Sequence, residues 1–125
     1  MTEYDKAIFD LVNNPNYTFY KLYVDGKCDF DKFLDDINKN IADKKSFTAI
    51  INYMDSLSAR LLSSKMYNHI HDNERADLYE FKKNDLRVYV IDQRPNIYIV
   101  MGGHKKEQKK DIAKFKNKTK NFPKQ

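Results

Sequence analysis

A few side chains in the C-terminal half have the chemistry to act on a phosphodiester. His104, in "IVMGGHKKEQ", stands between a glycine pair and the lysines Lys105 and Lys106. Arg87 opens "RVYVID", and Glu80 and Lys82 alternate within "LYEFKK". Cleaving RNA without a metal requires that a 2′-hydroxyl lose a proton, that charge on the phosphate be stabilised, and that the leaving 5′-oxygen be protonated. Arginine and lysine supply the second act through charge-assisted hydrogen bonds. A histidine, with an unperturbed pKa of about 6.5, can supply the first or the third, and His104 is the best placed. Spacing alone also allows a plainer reading, in which "GGH" is a glycine turn feeding a solvated helix.

Other chemistries find little support. There is no Gly-rich phosphate loop, no paired-histidine metal motif, no Cys pair and no nucleophile elbow. His69 and His71 flank Ile70, and two imidazoles without a third ligand do not define a zinc site. No metal and no cofactor is expected. Cys28 is the single cysteine, which forbids an internal disulfide, agrees with a reducing compartment, and is read as structural.

The chain of 125 residues is expected to form one domain with a modest core. Nine tyrosines and eight phenylalanines, spread from Tyr4 to Phe122, argue against disorder. No apolar run approaches the roughly 18 residues needed to span a bilayer, and "MTEYDKAIFDLV" carries acids where a signal peptide needs a basic start. A cytoplasmic protein with no membrane contact is expected. The net charge of +5 is uneven, because Lys105–Gln125 holds nine lysines against Glu107 and Asp111. A near-neutral body with one basic end suits a polyanion such as nucleic acid.

These residues need a scaffold, and the hydrophobic pattern predicts an α+β one. "TEYDKAIFDLV", with a capping-box-like Thr2 and Asp5, predicts a first helix within a 1–16 helical extension. "YTFYKLYV" alternates as a strand ended by Asp25-Gly26. Phe30, Phe33, Leu34, Ile37 and Ile41 mark a helix with Asp29 as its N-cap. Phe47, Ile50, Ile51, Met54, Leu57, Leu61 and Leu62 mark a second helix with Ser46 as cap, forming a helical hairpin with the first. "SSKMYNHIHDNERA" reads as loop. "DLYEFKK", "LRVYVID" and "NIYIVM" read as a three-strand antiparallel meander, broken by Gly102-Gly103. A basic helix follows, carrying Ile112 and Phe115, with 119–125 as a frayed tail. The expected fold is a small antiparallel sheet, the N-terminal strand plus the meander, packed on the helical hairpin.

With those elements in order, "YKLYVDGKCDFDKFLDDI", the helix ending "LSARLL", "LYEFKKNDLRVYVI" and "IYIVMGGHKKEQKKDIAKFKNK" resemble the RelE/ParE toxin superfamily, in its HigB-like, phage Gp49-like branch. The resemblance covers Tyr17 to Lys120 and rests on the order of elements more than on any one motif. It implies the toxin of a type II toxin–antitoxin system, a metal-independent endoribonuclease cutting mRNA on the ribosome and held by a cognate antitoxin. It assigns Arg87, His104, Lys105 and Glu80 to the catalytic set. Lys82, Lys83, Arg94, Lys106, Lys109 and Lys110 are assigned to RNA binding. Two alternatives stay open: a ParE-like gyrase poison of the same fold, and a non-catalytic basic module that binds nucleic acid.

Overall fold

A computed structural model describes residues 1–58 and 62–124; Leu61, expected on the second helix, lies outside them. The elements are β1 (Tyr4–Ile8), β2 (Thr18–Val24), α1 (Asp29–Ile37), α2 (Ile41–Ser56), β3 (Tyr67–His69), β4 (Leu78–Lys83), β5 (Leu86–Gln93), β6 (Asn96–His104) and α3 (Gln108–Thr119), with a single 3₁₀ turn at Lys105–Glu107. The six strands form one sheet in the order β1-β2-β6-β5-β4-β3. The class is α+β, as expected.

The helical hairpin covers one face. Phe30, Phe33 and Ile37 of α1 and Phe47, Ile50 and Met54 of α2 are buried against Phe19, Phe81, Val88, Val90, Ile97 and Ile99. The other face holds a second core, in which Phe115 and Phe122 pack on Leu22, Leu78, Tyr89, Ile91 and Tyr98. The alternation of each strand serves both cores, so β5 is buried from Leu86 to Ile91.

Several expectations are corrected. The predicted first helix is instead the edge strand β1, paired antiparallel with β2 from Tyr4↔Val24 to Ile8↔Tyr20. Its helical spacing was short, and as a helix it would have had to bury Ile8 and Leu11, which stay 65% and 62% exposed. Sheet pairing, with Phe9 and Tyr4 entering opposite cores, overrides that propensity. Nor is the sheet purely antiparallel, because β2 runs parallel to β6. β3 lay in the presumed loop; it is three residues long, and pairing with β4 alone defines it.

The caps also differ. Asp29 is the first residue of α1, while Cys28 occupies the cap position without a side-chain hydrogen bond. There the Asp29 carboxylate meets the helix dipole and faces Lys118 at 2.9 Å. α2 starts at Ile41, capped by Asn40, whose side chain accepts from the Asp43 N–H at 3.0 Å. Ser46 is buried inside α2 and accepts from Asn84 Nδ2 at 3.0 Å. Burial pushes the Cys28 thiol up, away from reactive thiolate, in keeping with a structural role.

The C-terminal tail is not frayed through Phe122. Thr119 and Phe122 are buried, and the Arg75 guanidinium, itself 4% exposed, donates to both of their carbonyls. The Thr119 carbonyl, which also accepts from the Phe122 N–H at 2.9 Å, belongs to the last turn of α3, so the buried cation there meets the helix dipole. Arg75 is aimed by Asp77, at 2.9 and 2.8 Å. Burial alone would raise the Asp77 carboxyl, but hydrogen bonds from Arg75 and Gln93 outweigh it and hold the group below its usual range. A carboxyl depressed on folding stabilises above its unfolded pKa of about 3.9, and that stabilisation is lost as pH falls through the folded value. Asp77→Asn should therefore lower the denaturation midpoint at pH 7. The gap to wild type should close as the titration is repeated toward pH 2; a gap constant with pH would overturn the linkage.

Candidate nucleic-acid interface

β4 and β5 are joined by the two-residue turn Asn84-Asp85, with Asn84 at φ 51°. That tight turn places Lys82 directly opposite Arg87 and Glu80 opposite Tyr89. A cleft of about 360 Å³ opens at this end of the sheet, lined by Tyr53, Lys65, Met66, Lys82, Lys83, Asn84 and Arg87. Four of the lining residues are cations and none is a carboxylate.

Arg87 is the anchor. It is 7% exposed, and its Nη1 donates to the carbonyls of Asn84 (2.9 Å) and Leu86 (2.8 Å), which fixes the guanidinium plane across the turn. Its Nε has no hydrogen-bond partner. Glu80 Oε1 lies 4.0 Å from that Nε, too far for a hydrogen bond. Glu80 is otherwise engaged, accepting from Gln108 Nε2 at 2.7 Å and Asn68 Nδ2 at 3.2 Å. The carboxylate thus sits behind the arginine, buried, and balances part of its charge without occupying its outer donors.

A buried tyrosine lies beside this pair. Tyr89 is fully buried and its hydroxyl has no hydrogen-bond partner. Burial, helped by the Glu80 and Asp111 carboxylates, pushes the Tyr89 phenol far above its usual range, so it keeps its proton. Burial likewise raises the Asp111 carboxyl, which lies against Gly103.

The sequence-derived residues fall into four places. Arg87, Lys82 and Lys83 meet in the cleft, with Glu80 behind them. Lys105 and Lys106 flank it, because the Lys105 N–H donates to the Asp85 carbonyl at 2.6 Å; both side chains are exposed, as are Lys109 and Lys110 on α3. Arg94 is elsewhere, in the β5–β6 turn at the other end of the sheet, beside Asp92 at 3.3 Å and over the Tyr17 ring at 5.6 Å.

His104 is not in the cleft. The glycines before it do not break β6, which runs through them to His104. The β5–β6 register shifts between Tyr89 and Val90, so Val100 is an extra residue and both Val100 and Met101 enter the α3-side core. This bulge inverts the alternation beyond it. Gly103 then faces α3 opposite Arg87, and His104 faces the helical hairpin, with Nε2 2.9 Å from Asp43 Oδ2. Arg87 and His104 thus lie on opposite faces of the sheet.

Lys65 and Tyr53 are among the cleft residues that escaped the sequence reading. Lys65 comes from the presumed loop and is brought in by β3, where the Lys82 N–H donates to the Met66 carbonyl at 2.8 Å. Tyr53 comes from α2, on a position outside the apolar stripe; a half-buried tyrosine there was the one available signal. His69 and His71 are exposed, and His69 Nε2 is 2.9 Å from the Ala76 carbonyl.

Fold and site together define an α+β protein with a cation-lined cleft at one end of its sheet. No known protein family, curated protein or solved structure matches the chain. No helix among the described residues is long and apolar enough to cross a membrane.

Proposed function

We propose that this chain is an RNA-directed toxin of the RelE/ParE kind, a metal-independent endoribonuclease that seats an RNA phosphate in the Arg87 cleft. The observation that carries the reading is the buried Arg87 in a cleft whose lining holds three lysines beside it and no carboxylate. Cations gathered along one cleft stabilise charge that develops on a phosphoryl group. The order of β2, helical hairpin, meander and basic helix supports the same reading, because it is the order the resemblance requires. In this proposal mRNA on the ribosome is the cytoplasmic substrate, Lys105, Lys106, Lys109 and Lys110 contact flanking phosphates, and a cognate antitoxin neutralises the toxin by covering the cleft.

A second reading, a non-catalytic RNA binder, is favoured by the placement of His104 across the sheet, which leaves the cleft without an imidazole. Induced expression with primer-extension mapping of mRNA ends separates the two. New 5′ ends that disappear in Arg87→Ala but persist in His104→Ala are expected for the enzyme with its site at the cleft. RNA binding that weakens steeply with salt and leaves mRNA intact would establish the binder. DNA damage with intact mRNA would instead select a gyrase poison.

A further inference from the structure

A second cavity lies at the opposite end of the sheet. It measures about 610 Å³ and is walled by Tyr79, Asp92, Arg94, Asp77, Arg75 and Lys124, among others. Its electrostatics are unlike those of the Arg87 cleft. Arg75 is paired with Asp77 at 2.8 Å and Arg94 with Asp92 at 3.3 Å, so the wall is close to neutral and offers no cluster of cations to a phosphate.

Its distinctive group is Asp92. The side chain is only 3% exposed. One oxygen, Oδ2, accepts from the Tyr67 hydroxyl at 2.8 Å and from Arg94 Nε at 3.3 Å. The other, Oδ1, is buried without a hydrogen-bond partner. A buried carboxylate oxygen with no donor is costly, and its deficit is filled by a ligand that brings an N–H. Beside it the rings of Tyr79 and Tyr67 stack at 4.7 Å and 14°, which gives the cavity a planar aromatic wall. Burial first, then the Asp92 charge, drives the Tyr67 phenol well above its usual range. Tyr67 therefore keeps donating to Oδ2 and leaves Oδ1 as the unpaired acceptor.

We infer that this cavity is a nucleobase pocket, selecting a base that carries an exocyclic amino group, with the amino N–H donating to Asp92 Oδ1 and the ring lying along Tyr79. The volume suits a nucleoside, the aromatic wall suits a π-face, and the near-neutral lining suits a base in preference to a phosphate. The pocket extends the RNA reading above but does not depend on it, since a free nucleoside is enough to fill it. Asp92 and Arg87 are five residues apart on β5, roughly 17 Å at the rise of a strand. The odd spacing also turns the two side chains to opposite faces of the sheet, so the base pocket and the phosphate cleft are separate sites.

The test titrates the full chain with adenosine and with purine riboside, which differs only in lacking the amino group, following amide shifts of Tyr79, Asp92 and Arg87 by NMR. Adenosine should shift Tyr79 and Asp92 and bind about tenfold or more tightly than purine riboside, the penalty of leaving the buried acceptor unpaired. Asp92→Asn should erase that preference while its unperturbed spectrum and unfolding midpoint show an intact fold. Tyr79→Ala should weaken both nucleosides alike. Nucleoside shifts at Tyr79 and Asp92 that leave the Arg87 amide unmoved read the base pocket separately from the phosphate cleft. Equal binding of the two nucleosides, no binding of either, or shifts confined to Arg87 and its neighbours would overturn the pocket.

Discussion

Arg87→Ala should lose RNA and stability together, and Glu80→Gln added to it should restore only the stability. In the wild type the buried Glu80 has the Arg87 charge at 4.0 Å, and Arg87 also satisfies the carbonyls of Asn84 and Leu86. Removing the arginine leaves an uncompensated buried carboxylate, which for a tight pair costs 3–5 kcal/mol. The spacing here is beyond hydrogen-bond contact, so about 2 kcal/mol is expected, seen as a fall of about 7 °C in the unfolding midpoint. Glu80→Gln removes the stranded charge while its amide oxygen still accepts from Gln108. The double variant should therefore regain most of the midpoint, as a cycle on coupled sites requires.

Binding of a short RNA should behave differently. Loss of one buried phosphate contact predicts a drop of about tenfold and a log–log salt slope shallower by about 1 in Arg87→Ala. The double variant should keep both defects. If RNA affinity returns along with the midpoint, Arg87 acts by holding the fold. If Arg87→Ala changes neither affinity nor slope, the cleft is not where the phosphate sits.

The limits of the sequence reading have particular physical causes. The helical hairpin and the strands β2, β4, β5 and β6 were legible because their apolar residues repeat locally at the helix or strand period. β1 and β3 were not, since each is an edge strand held by pairing with a partner rather than by its own pattern. The end of α3 depends on Arg75, 44 residues before Thr119, and no local signal marks it. The cleft was partly legible, because a two-residue hairpin must bring Lys82 and Arg87 together. His104 was misplaced because the strand was expected to break at Gly102-Gly103; β6 instead runs through the glycines, and the one extra residue of the Val100 bulge turns His104 to the hairpin face.

The same bulge explains the glycine pair and makes it the most sensitive point of β6. Neither Gly102 nor Gly103 is at positive φ, so neither is required by a turn. Both are required by close approach, from opposite sides. A Cβ on Gly102 would lie 2.5–2.7 Å from three atoms of the Phe33 ring, whose centroid is 6.2 Å from that of Phe30 and 6.4 Å from that of Phe47. That ring cannot retreat without moving an aromatic cluster, so Gly102→Ala should cost about 3 kcal/mol by overpacking. A Cβ on Gly103 would meet Asp111 Oδ2 at 2.0 Å, a worse overlap on paper. But the carboxylate ends a half-exposed, rotatable side chain that can swing aside, and Gly103→Ala should cost about 1 kcal/mol. Urea unfolding should thus rank the variants against the order of their raw distances. Phe33→Leu, which removes the obstructing ring, should make Gly102→Ala nearly neutral in that background. A Gly102→Ala penalty that Phe33→Leu fails to reduce would mean that the glycine serves the backbone rather than the packing of α1 on β6.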